Sequence, residues 1–141
     1  VVVPAGTTYA RFSLFDSDVN PGSDLDLCVF NANGTLAGSS ASGTSAEEVN
    51  LLNPAAGTYT VVVQGWGVVG SSPFTLHSWI LGSTDDGNIT VTAPNAASTG
   101  DTGAIDLAFT GLDTGTKYLG SVAYGGAAGL PNPTIVRVDT P

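Results

Sequence analysis

No stretch of this chain keeps apolar residues at three-and-four spacing for the length of a helix, and nineteen glycines and eight prolines interrupt every candidate. Short runs alternating apolar and polar recur instead, each closed by turn residues. In TYARFSLF (8–15), Ala10, Phe12 and Leu14 fall on one side and Arg11 and Ser13 on the other. LDLCVF groups Leu25, Leu27 and Val29, and TYTVVVQ groups Tyr59, Val61 and Val63. FTLHSWIL (74–81) is apolar on both faces and predicts a central strand. AEEVNLL (46–52), NITVTA, AIDLAFTG, KYLGSVAY and TIVRVD follow the same rule, with Asn33-Gly34 and Asp86-Gly87 among the turns. About nine short strands so punctuated predict an all-β protein, an antiparallel sandwich whose two sheets bury their inner faces against each other.

A partial repeat refines this. LNPAAGTYTVVV (52–63) and LDTGTKYLGSV (112–122) share Leu, a turn, Gly-Thr and a Tyr leading into a strand. The pattern resembles a tyrosine corner, in which the phenol packs under the turn and its hydroxyl bonds the backbone upstream. Tyr59 and Tyr118 are accordingly read as structural. The repetition also suggests two lobes, 1–82 and 83–141, divided near GSTDDGN. The second has about four predicted strands, and the alternation of Ile105, Leu107 and Phe109 needs a facing layer; it is expected to pack on the first sandwich as one cooperative unit.

Charge narrows the partners. Twelve acids against Arg11, Lys117 and Arg137 leave a net charge of −9 in 141 residues, which excludes the phosphate neutralisation on which nucleic-acid affinity rests and disfavours anionic membranes. No apolar run approaches the roughly twenty residues of a membrane helix, and no signal segment opens the chain, as in a mature or excised piece. Richness in Gly, Ser, Thr and Ala, with little lysine and no methionine, suits a secreted protein. The single cysteine, Cys28, permits no intrachain disulfide and is read as a half-buried small residue.

Four aspartates gather in FDSDVNPGSDLDL: Asp16, Asp18, Asp24 and Asp26. Calcium takes six to eight oxygens from carboxylates and loop carbonyls, and Asp24 and Asp26, two apart on a strand, point to one side. Asp16, Asp18 and Asn20 match the first ligand positions of an EF-hand, but Pro21 and Leu27 stand where that loop needs Gly and Glu. A shared calcium site on the four aspartates is one expectation; loop capping and a solvated face is the other. Glycoside hydrolysis by paired carboxylates would need a cleft walled by aromatics, and only Phe15 and Phe30 lie near. Zinc lacks ligands, with one His and one Cys. Nucleophilic catalysis lacks a base: His77 sits inside an apolar strand, and GTSAEE (43–48), despite a superficial likeness to a subtilisin nucleophile, leads toward a strand rather than a helix. No catalytic residue is expected. For ligand contact the plausible aromatics are Trp66, in the loop QGWGVVG, and Tyr124, with Trp79 expected to be buried.

SDLDLCVFNANGTLAGSS followed by AEEVNLLNPAAGTYTVVVQGWG resembles the bacterial pre-peptidase C-terminal domain, a relative of the proprotein-convertase P domain. That family has a DxDL strand, an Asn-x-x-Gly turn, small polar residues, Glu-x-Val and Pro-x-x-Gly-x-Tyr-x-Val-x-Val. The remainder of the chain looks like the tail that follows this domain in secreted subtilisin-like serine proteases. The resemblance implies a jelly-roll-like sandwich and a non-catalytic accessory domain. Its partners would be the protease's own catalytic domain and a protein or polymeric substrate, and it would act in substrate binding, folding, stability or secretion. Relatives bind fibrous substrates such as collagen, assist folding or secretion, or are cleaved off on maturation. Cys28 departs from the pattern, which places an aromatic after DLDL. The alternative is a carbohydrate- or matrix-binding sandwich from another extracellular protein.

Overall fold

The computed structural model describes residues 1–126 and 132–141 and is all-β apart from one turn of 3-10 helix at Asp16–Asp18. Two compact units divide the chain, Val1–Ser83 and Thr84–Pro141.

In the first unit, β1 (Val2–Val3), β2 (Tyr9–Ser13), β3 (Asp24–Phe30), β4 (Leu36–Ser40), β5 (Glu48–Leu52), β6 (Gly57–Thr58), β7 (Thr60–Gly67) and β8 (His77–Leu81) form three antiparallel sheets. Two are three-stranded, ordered β5-β2-β8 and β4-β3-β7, and β1 pairs with β6. Alternation sets their faces. On β3, Leu25, Leu27 and Val29 are buried while Asp24, Asp26, Cys28 and Phe30 are half-buried on the other side. Ala10, Phe12 and Leu14 of the β2 segment join Val49, Val3, Tyr59 and the inward β3 residues in one core, so both sheets bury a face in common. Val61 and Val63 pack against it, as their spacing implied. Gly38 marks how closely β4 passes β5, since a Cβ there would lie 2.6 Å from Val49 Cγ1.

One strand differs from its sequence reading. FTLHSWIL is not central: β8 begins only at His77 and lies at a sheet edge, Phe74 is 49% exposed, and β2 occupies the middle. Apolarity on both faces has a local cause here, because the outward His77 and Trp79 are covered by their own neighbours rather than by a second sheet. Three strands, β1, β4 and β6, were not anticipated; two are two residues long, and LAGSS of β4 carries no period-2 signal.

In the second unit, β9 (Ile89–Thr92) pairs with β10 (Asp106–Phe109), and β11 (Lys117–Val122) with β12 (Thr134–Asp139). Ile89 reaches the β11 backbone, where a Cβ on Gly120 would meet its Cδ1 at 2.6 Å. None of the described residues of this unit is fully buried, and Ile105 and Phe109, expected to be interior, keep 40% and 37% exposure. Asp139 pairs with Arg137 on its own strand and with Lys117 across on β11, and the two cations, Arg137 above all, hold its carboxyl below the usual range against the opposing effect of burial.

Both tyrosine corners are present. Tyr59, 4% exposed, donates its hydroxyl to the Ala55 carbonyl at 3.0 Å. In the second unit the Tyr118 hydroxyl accepts the Asp113 amide at 2.8 Å.

Candidate functional site

The four aspartates occupy two places. Asp16 and Asp18 lie on the 3-10 turn, Asp24 and Asp26 on the outer side of β3. Asp18 Oδ2 is 2.8 Å from His77 Nε2, an ion pair whenever the imidazole is protonated. The ring stacks on Trp79, 5.8 Å between centroids, and meets the Phe15 edge at 5.0 Å. His77 is thus a hydrogen-bonded sheet residue tying the 3-10 turn to β8. Asp16 instead lines a cleft of about 290 Å3 with Asn20, Ser23 and Thr44. Among the described residues, no three His, Cys, Asp or Glu side chains are grouped to hold a metal ion.

Asp24 and Asp26 form a pair of their own. Asp24 Oδ1 is buried without a hydrogen-bond donor. Burial raises Asp26 above the ordinary carboxylate range, and the negative charges of Asp24 and Glu47 raise it further. The outer face around them is uncharged: cross-strand pairing sets Gln64 beside Asp26, Val62 and Ser39 beside Cys28, and Leu36 and Thr60 beside Phe30. Trp66 is 71% exposed, at a bulge where Asp24 pairs with Gly67 and Leu25 with Gly65. It lies on β7 rather than in the loop its glycines suggested. Tyr124 belongs to the second unit, half-buried, with its hydroxyl 2.5 Å from Thr134 Oγ1.

The buried acid Glu47 was missed by sequence reasoning. It is 1% exposed, and its carboxylate accepts hydrogen bonds from the Ser40 hydroxyl and from the Ser42 amide, the latter at 2.6 Å. Burial pushes Glu47 upward, yet the donors from Ser40 and Ser42 outweigh it and hold the acid below its ordinary value. Its backbone exchanges hydrogen bonds with Leu14, fastening the 41–47 loop to the core strand. Ser45, in the GTS stretch, is fully buried; its hydroxyl accepts the Leu25 amide at 3.1 Å and donates to the Ser23 carbonyl at 2.9 Å. A serine so engaged is a structural clasp and has no solvent-facing oxygen with which to attack a substrate. Glu47 alternates with Val49 and Leu51, and that inward register was the signal available in the sequence.

The opposite sheet carries the unit's only arginine. Arg11 meets Glu48 at 3.1 Å and donates Nε to Asn50 Oδ1 at 2.7 Å, and the Tyr9 hydroxyl donates to the same oxygen at 2.6 Å. The two sheets therefore differ outwardly: one is charge-balanced, the other acidic and apolar.

Residues 1–65 match the model of the bacterial pre-peptidase C-terminal domain. The chain is also similar to pyrolysin of Pyrococcus furiosus, 33% identical over 93 residues, which is 63% of this chain and 7% of pyrolysin's length. No solved structure gives a significant match. The DLDL strand, the buried Glu47 turn and the Tyr59 corner all lie within residues 1–65, the stretch that is similar to the bacterial pre-peptidase C-terminal domain.

Proposed function

We propose that this chain is a non-catalytic accessory module of a secreted subtilisin-like serine protease, contributing to contact with a protein substrate. The observation that carries the reading is the family match over residues 1–65 together with the likeness to pyrolysin, a subtilisin-like protease. The geometry agrees with it: the only serine in a protease-like context, Ser45, is a buried clasp, and the only histidine is committed to Asp18. The test has two parts. The reading frame should encode an Asp, His and Ser peptidase domain upstream. Removing these 141 residues from that protein should leave hydrolysis of a short chromogenic peptide unchanged and slow the breakdown of insoluble protein several-fold. Equal activity on both substrates with and without the module would overturn the substrate-contact role.

Calcium is proposed at Asp24 and Asp26, where Asp24 Oδ1 is buried without a donor and neighbouring negative charge adds to burial in raising Asp26. Millimolar calcium should then raise the melting temperature over that in chelator, because a ligand of the folded state alone stabilises it. An unchanged transition would leave the pair as a solvated face.

A further inference from the structure

We propose that the outer face of the β4-β3-β7 sheet is a docking surface for extended polypeptide in which lysine or arginine occupies alternate positions beside a run of alternate aliphatic residues.

Spacing comes first. Asp24 and Asp26 stand two residues apart on β3, about 7 Å at the rise of a strand, and alternate side chains of an extended partner have the same repeat. A strand laid along β3 therefore meets both carboxylates with consecutive outward residues. Further along the same row come Cys28, beside Val62, and Phe30, beside Leu36; Val62 and Leu36 are 42% and 52% exposed. One end of the row is acidic and the other apolar, which fixes the order of side chains in the occupant.

Charge decides the sign. In the first unit Arg11 is the only lysine or arginine, and it is paired with Glu48 on the opposite sheet. Nothing of positive charge from that unit meets Asp24 and Asp26, and the crowding of negative charge that raises Asp26 is relieved by an arriving cation. Trp66, exposed beside Asp24 at the bulge, offers an aromatic face to the same cation. The acidic pair alone would define no ligand; its coincidence with an exposed tryptophan and with the apolar Leu36, Val62 and Phe30 on the same sheet does.

The inference deepens the substrate-contact reading and rests on it, but its test needs only this chain. The probe is the end-blocked peptide Lys-Ser-Lys-Ser-Val-Ser-Val, titrated calorimetrically into the 141-residue protein in chelator at low salt, beside its counterpart with Glu for both Lys. The lysine peptide should bind, and the glutamate peptide about tenfold more weakly or not at all. Asp24→Asn/Asp26→Asn should cost about tenfold, and Trp66→Ala about fivefold. Asp24→Lys/Asp26→Lys should reverse the preference between the peptides, a result that loss of folding cannot produce. Equal binding of both peptides, no binding of either to the parent chain, or an unreversed preference in a lysine variant that melts like the parent would overturn the proposal. Each of those results leaves the accessory-module reading intact, because no protease is in the cell; a failed deletion experiment would equally leave the measured peptide affinity standing.

Discussion

Glu47 concentrates the chemistry that holds the first unit together at the level of single residues. A carboxylate 1% exposed survives as an anion because the Ser40 and Ser42 donors are built for it. Its folded value lies below its ordinary one, so it contributes stability above the ordinary carboxylate range, and that contribution is lost as pH falls through the depressed folded value. Glu47→Ala should cost about 3 kcal/mol at neutral pH by stranding the serine donors, and the difference from the parent should shrink in acid; paired urea melts at the two conditions measure it. Asp26 has the opposite sign. Its raised value makes the ionised form a burden on the fold, removed as pH falls, so Asp26→Asn should raise the melting temperature at neutral pH and do nothing in acid. Tyr59→Phe should cost about 1 kcal/mol, the worth of the hydroxyl given to Ala55.

At the scale of elements, the middle of the sheet is decided by β2. Phe12 is fully buried, whereas Phe74, ahead of β8, is half exposed. Phe12→Ala should therefore cost about 3–5 kcal/mol and Phe74→Ala less than about 0.5, measured by the same melts. The pair also shows where sequence reasoning reached and where it stopped. Alternation identified the inward residues of β2, β3 and β7 correctly, because a period of two is a property of the strand itself. It could not rank strands within a sheet: TYARFSLF, with an arginine in its outward row, is central, and from the adjacent strand Glu48 pairs with that arginine while Asn50 accepts its Nε hydrogen bond. Apolarity marked FTLHSWIL as central, yet its outward side is covered by a His–Trp stack and a capping Phe that no periodicity reports. The same limit applies to the site. The aspartates were visible as a cluster in sequence, but a strand and a 3-10 turn separate them, and the His77 partner of Asp18 lies 59 residues away. The tyrosine corners were legible because the whole motif fits within a few residues.

For the whole molecule, the contrast between units carries a prediction. The first has a shared core of nine buried residues, while the second consists of two two-stranded sheets with no fully buried residue among those described. Pairs of strands are marginal in water without a covering layer, so a fragment of residues 84–141 should show no cooperative thermal transition by itself. A sharp melt from that fragment would mean that the hairpins suffice. We propose that in the entire chain the two units melt together, which calorimetry would report as one transition rather than two.

The edge of that first unit sets a solubility problem of its own. β7 ends its sheet, and the eight residues TVVVQGWG carry neither a charge nor a proline, the usual guards of a strand border. A net charge of −9 and the acidic row on the neighbouring strand oppose the approach of a second copy to that border. Colloidal behaviour should follow: light scattering from the pure protein should climb as acid titrates that charge away or as salt screens it, and Val62→Lys, a guard placed in the middle of the border, should suppress the climb.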